Sequence, residues 1–215
     1  MNKFSVHHNI HKKTLVYIPI IHDQADMGAL RESVQQASIH KFGEKAWMKK
    51  LAFIDQSWTE IGQAIEAMPL SYEKIRIYQD GLPVCGYEAD IVNQMSTNGS
   101  RNYQLIEKLI KGGAMIMGTE SPELLIHEYE LMMKMNVHHD DKTAIRSKAR
   151  LKIMSESLIK KRDHFIAHRI HDTLGEGETG MLFIGALHSV ENFLSKDIQI
   201  IYPLNRLLFK GAWNE

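Results

Sequence analysis

The sequence has little cysteine and no excess of either charge. Cys85 is the one cysteine among 215 residues, so no disulfide can form within the chain and a reducing compartment is expected. Basic and acidic side chains number 26 each, which gives a net charge of zero, and no block of lysine and arginine stands out. This balance argues against a nucleic-acid partner.

The sequence also lacks long apolar runs. None reaches the roughly 18–20 residues that a membrane-spanning helix needs. The first residues, Met1 to His8, lack the apolar core of a signal peptide. We therefore expect a cytoplasmic protein without a membrane partner.

Short β-branched and apolar runs predict the strands of one α/β domain. Residues 1–13 are polar and histidine-rich and are expected to form an arm, and residues 14–215 are expected to form the domain. The predicted strands are Thr14–Ile21, Ile75–Tyr78, Ala114–Met117, the apolar part of Gly180–His188, and Ile198–Tyr202.

The segments between these strands have the apolar periodicity of helices. Apolar residues recur every three or four positions from Trp47 to Met68, so residues 26–68 form a helical excursion between the first two strands. Further helices are predicted at Val84–Met95, Asn102–Lys111, Pro122–Met135 and Thr143–Leu174, the last with an interruption near Ser155, and one begins near Ser189. The alternation predicts a mainly parallel central sheet flanked by helices.

Three predicted strands are followed by a side chain that can bind a metal: His22, Glu120 and His188. Because the carboxyl ends of parallel strands share one edge of a sheet, these side chains are expected to converge. Two imidazoles and a carboxylate can hold zinc, manganese or iron with a water molecule in the open position. Asp23 and Asp80 are alternative or supporting carboxylates at the same edge.

The long helix places two charges inside its apolar stripe. Arg162 precedes Ile166 by four residues, and Asp163 follows Ile159 by four. Buried charges are costly unless they are paired. In one alternative, the two form a structural pair that anchors the helix. In the other, Arg162 binds an anionic group of the substrate or transition state, and Asp163 orients Arg162 or a metal-binding histidine.

Two further patterns have simpler interpretations. His164, His168 and His171 share one helix face, but Lys160 flanks it, so a solvated face is favoured over a metal site. Cys85 has no sequence cue to a catalytic base and is expected to be a small buried residue rather than a nucleophile.

The strand-end residues resemble the EreA/ChaN-like superfamily, which includes the TraB/PrgY and Tiki proteins. Gly185-Ala186-Leu187-His188 matches the second Gly-x-x-His motif of that group, and Pro19-Ile20-Ile21-His22 occupies the first with proline in place of glycine. Gly118-Thr119-Glu120 is similar to the glutamate motif, and the segment that begins at Arg162 is similar to the arginine-bearing helix. The resemblance implies an α/β fold, with metal-dependent peptidase, esterase-like or haem-binding activity among the members.

Two functions are consistent with this site. In the first, the protein hydrolyses a peptide, ester or amide bond of a small-molecule or peptide substrate: His22, Glu120 and His188 bind a metal or activate water directly, and Arg162 stabilises developing negative charge. In the alternative, the imidazoles bind haem or another small ligand without turnover. A structural or regulatory module and a homo-oligomer are also compatible with the sequence.

Overall fold

A computed structural model describes residues 13–21, 26, 31–135 and 142–204. Its centre is a five-stranded sheet in the order β3-β2-β4-β1-β5, in which every neighbouring pair is parallel. The strands are β1 Lys13–Ile20, β2 Ile75–Gln79, β3 Met115–Met117, β4 Thr179–Gly185 and β5 Ile198–Ile201. The predicted α/β fold with a parallel sheet is confirmed.

Six helices flank this sheet in the described part of the chain. They are α1 Arg31–Phe42, α2 Glu44–Glu66, α3 Glu88–Thr97, α4 Arg101–Lys111, α5 Pro122–Met135 and α6 Lys142–Thr173. The first two form the predicted helical excursion between β1 and β2. Among the described residues, no helix combines the length and the apolar character that crossing a bilayer demands.

Three predicted boundaries differ from the structure. Helix α6 runs through Ser155 without interruption, and the helix expected at Ser189 is a short 3-10 helix, Val190–Phe193. The helix expected at Val84 begins only at Glu88, because its carboxylate accepts hydrogen bonds from the amides of Cys85 and Gly86 and holds them in a turn. Residues 1–12 of the predicted 1–13 arm lie outside the described residues, and its last residue, Lys13, belongs to β1 instead.

The central strands β1 and β4 are buried on both faces, which explains why their sequences are nearly continuously apolar rather than alternating. One face packs Ile18, Ile77 and Phe183 against α2 and α4. The other packs Tyr17 and Leu182 against α6.

The strand order sets the position of the polar strand ends. Strands β3, β2 and β4 are neighbours, and β1 lies on the other side of β4. The residues that follow β3, β2 and β4 therefore leave the sheet side by side at one edge. Strand β1 pairs with β5 only through Lys13–Val16, so Pro19 lies beyond that pairing, as its missing N–H predicts.

Candidate active site

Five buried polar residues meet at the carboxyl edge of the sheet. Asp80 follows β2, Glu120 follows β3, His188 follows β4, and Arg162 and Asp163 lie on α6. Each has at most 5% of its surface exposed. The loops set the position of the first three, and the packing of α6 against the sheet sets the position of the other two.

Arg162 is held by carboxylates on three sides. Its Nε and Nη2 donate to the two oxygens of Glu120 at 2.6 and 2.5 Å, which is the bidentate geometry that a guanidinium favours. Nη2 also donates to Asp80 Oδ1 at 2.7 Å, and Nη1 donates to Glu128 on α5. Arg162 therefore joins the loops after β2 and β3 to helices α5 and α6.

Backbone amides fix the three buried carboxylates from neighbouring loops. The amide of Gly81 donates to Glu120 at 2.9 Å, and the amide of Gly185 donates to Asp80 at 2.9 Å. The amide of Ser189 donates to Asp163 at 3.0 Å. The first two contacts cross from one strand end to the next, so the sheet itself holds Glu120 and Asp80 in place, and the third ties α6 to the loop after β4.

His188 lies between two of these carboxylates. Its Nδ1 is 2.6 Å from Asp163 Oδ1, and its Nε2 is 3.7 Å from Asp80 Oδ1. The first distance is that of a short hydrogen bond, and the second is that of an ion pair without one. A carboxylate on Nδ1 fixes the orientation of an imidazole and makes its other nitrogen more basic.

The site has more buried acid than base. Asp80, Glu120 and Asp163 carry three negative charges when ionised, whereas Arg162 and a protonated His188 carry two positive ones. Burial raises the pKa of the Glu120 carboxyl, Arg162 opposes this, and the charge of Asp80 adds to it. Burial disfavours charge on Arg162, but the hydrogen bonds and charges of its carboxylate partners outweigh burial and raise its pKa.

The same surplus of negative charge acts on His188. Burial lowers the pKa of its imidazole, but the charge of Asp80 and the hydrogen bond to Asp163 together raise it above the ordinary value of 6.5. The structure thus favours a protonated His188 at slightly acid pH, and the ring becomes neutral only above pH 6.5.

Most of the site residues predicted from the sequence come together. Glu120, Asp80, Asp163, Arg162 and His188 form one connected network. His22 and Asp23, the remaining predicted residues, lie outside the described residues. The structural pair of Arg162 with Asp163, one of the two alternatives, is wrong: Arg162 binds Glu120, Asp80 and Glu128. The contact of Asp163 with His188 agrees with the other alternative, in which Asp163 orients a histidine, while metal binding by that histidine stays a prediction.

Glu128 was missed by the strand-end pattern because it lies on a helix. A different signal marks it: it shares a helix face with Leu124, four residues earlier, and Leu131, three later, and Leu131 is buried. A carboxylate in the inward stripe of α5 is the same kind of signal that singled out Arg162 in α6.

The other two sequence patterns lie apart from this network. His164, His168 and His171 are exposed, as expected for a solvated face, and His168 pairs with Asp172 of the same helix. Cys85 is exposed, so the expectation that it is a small buried residue is wrong. The turn that Glu88 stabilises carries it at the surface.

The described residues contain no group of three metal-binding side chains. Within the network, Asp80 and Nε2 of His188 have donor atoms 3.7 Å apart. This separation is shorter than twice the roughly 2.0–2.2 Å of a metal bond to oxygen or nitrogen, so both atoms can bind one ion.

Scans of the chain against protein-family models, curated proteins and solved structures found no match. The resemblance to the EreA/ChaN-like superfamily thus rests on the motifs and their order along the chain.

Proposed function

We propose that the protein is a hydrolase in which His188 activates a water molecule at the carboxyl edge of the sheet. The observation that carries this proposal is the imidazole held between two buried carboxylates, with Asp163 at 2.6 Å from Nδ1 and Asp80 at 3.7 Å from Nε2. This arrangement supports proton transfer or metal binding at Nε2, with Asp163 in the orienting role.

In the metal-dependent form of this proposal, Nε2 of His188 and the carboxylate of Asp80 would hold zinc, manganese or iron. His22 and Glu120 are further ligands that the sequence pattern suggests. Asp80 is favoured over Glu120 as the carboxylate ligand because its Oδ1 faces Nε2 of His188 at 3.7 Å, whereas both oxygens of Glu120 accept from Arg162. The metal would supply a bound water molecule with a pKa of about 7, and so a nucleophile at neutral pH.

In the metal-free form, the neutral His188 is the general base that takes a proton from water. Only the neutral imidazole can accept that proton, and the pKa of His188 is raised. Activity is therefore expected to increase with pH through a value above 6.5. Asp163 then stabilises the imidazolium that forms in the reaction.

The contacts of Arg162 favour a positioning role over direct contact with substrate. Four of its hydrogen bonds go to carboxylates, two of them to Glu120. By donating to Asp80, the guanidinium fixes the position of the carboxylate that faces Nε2 of His188. We therefore propose that Arg162 stabilises developing negative charge through its positive charge at a distance, and not through direct contact with the substrate.

The test compares the whole protein with two histidine variants. We expect His188→Ala to abolish hydrolysis across panels of esters, amides and peptides assayed with and without a chelator. His168→Ala is the matched control because His168 also pairs with an aspartate, but on an exposed helix face. It should retain the activity of the parent protein.

Elemental analysis and metal titration decide between the two forms. Loss of activity and of a bound metal in His188→Ala supports the metal-dependent form, whereas chelator-resistant activity supports the metal-free form. If no metal binds at micromolar concentration and every panel is blank, the hydrolase proposal is contradicted. A haem absorbance band that disappears in His188→Ala would then support the tetrapyrrole-binding alternative.

A further inference from the structure

A pocket of about 510 Å³ lies beside the candidate active site, between the end of α5, the middle of α6 and the chain that follows β4. Its volume falls within the roughly 300–1,000 Å³ that is typical of small-molecule sites. The apolar part of its wall consists of Met135, Ile159, Leu187 and Phe193.

The pocket contacts the residues that hold His188. Asp163 and Ser189 both line it, and Asp163 accepts the hydrogen bond from the amide of Ser189 while it contacts Nδ1 of His188. Leu187, which directly precedes His188, forms another part of the wall. A molecule in the pocket would therefore touch Asp163 and the loop that carries the imidazole.

The apolar side chains of the wall are unusually open to solvent. Leu187 is 69% exposed, Met135 46% and Phe193 36%. The Phe193 ring is held against the ring of His164, with centroids 3.8 Å apart, so this part of the wall has a fixed partner on α6. Large exposed apolar side chains that gather around one concavity are typical of a binding site.

The part of the wall on α6 also carries charged side chains. Lys152, Glu156 and Lys160 lie four residues apart along α6, form one ridge and are exposed. The pocket thus combines apolar side chains with a charged ridge. This combination suits a molecule with an apolar body and a polar end.

We propose that this pocket binds an amphiphilic small molecule, whose apolar part contacts Met135, Leu187 and Phe193 and whose polar end lies along the Lys152–Lys160 ridge. Binding itself requires only the pocket, so it is measured without turnover.

The first experiment titrates the whole protein with anilinonaphthalene sulfonate, a fluorescent amphiphile. Leu187→Asp places a charge in the apolar wall and should weaken binding by roughly tenfold or more. Ile126→Asp is the matched control, because Ile126 is 57% exposed on α5 and does not line the pocket. Equal affinities for the parent protein and Leu187→Asp, or an equal loss in both variants, would overturn the proposal.

The second experiment locates the bound dye by the ring-proton resonances of His188 at constant pH. They should shift on titration of the parent protein and shift much less with Leu187→Asp at the same dye concentration. An unshifted His188 at saturating dye places the dye elsewhere and overturns the proposal. If dye binding depends on Leu187 but the hydrolase panels are blank, the pocket is supported and the hydrolase function is contradicted. If the protein hydrolyses a substrate but binds no dye, the hydrolase function is supported and the pocket is contradicted.

Discussion

At the scale of single residues, Arg162 is the one positive charge that three carboxylates share. Asp80 and Glu120 are almost fully buried, and Glu128 is partly exposed. Removing one partner from a buried ionic network leaves the others uncompensated in a medium of low dielectric, which costs more than the network itself contributes.

We therefore expect Arg162→Met to lower the free energy of unfolding by about 3–5 kcal/mol in urea denaturation. Arg101→Met is the control, since Arg101 pairs with Asp55 at the surface, where 44% of its side chain is exposed. Its effect should be much smaller, because exposed ion pairs contribute little. Equal losses in the two variants would mean that the buried network does not stabilise the fold.

At the scale of elements, two loops hold each other at the edge of the sheet. The amides of Thr119 and Glu120 both donate to the carbonyl of Leu82, and the amide of Val84 donates back to the carbonyl of Glu120. Their close approach depends on Gly118, since a Cβ there would lie 2.7 Å from the Cα of Val84. The glycine of Gly118-Thr119-Glu120 thus allows the backbone contact that positions the glutamate.

Gly118→Ala should force these loops apart and lower the free energy of unfolding by about 1–3 kcal/mol. The proposed hydrolase activity should fall together with the free energy of unfolding. Gly62→Ala is the control: Gly62 lies inside α2, and a Cβ added there would have nothing within 4 Å, so alanine should stabilise the protein by about 0.5–1 kcal/mol. A Gly118→Ala variant with the same free energy of unfolding as the parent protein would show that the loops can separate without loss of stability.

At the scale of the whole molecule, the raised pKa of His188 makes stability depend on pH. A histidine whose pKa is higher in the folded than in the unfolded protein stabilises the fold below its ordinary value of 6.5. That contribution is lost as the pH rises through the folded-state pKa. The carboxylates around His188 thus stabilise the folded protein most when the ring is protonated.

We expect the free energy of unfolding to decrease as the pH rises from 6.5 through the folded-state pKa of His188. Urea denaturation at a series of pH values should show a smaller decrease in His188→Gln. His168→Gln should keep the parent dependence because His168 is exposed. Identical pH dependences in the parent and His188→Gln would contradict the assigned interaction with Asp80 and Asp163.

The sequence by itself determined the class of fold and the positions of most site residues. Continuously apolar runs predicted buried parallel strands, and residues at their ends, such as Glu120 and His188, were expected at one edge because parallel strands end together. Arg162 and Asp163 were recognisable as charges inside an apolar stripe. These signals are local, so periodicity alone reveals them.

The tertiary structure decided which of these charges contact one another. Successive helix residues do not face each other, so Arg162 and Asp163 turn to different partners across the sheet edge. Glu128 joins the network because α5 packs against α6, and His188 faces Asp80 because β4 lies beside β2. Such contacts depend on strand order and helix packing between distant segments, which no local pattern in the sequence encodes.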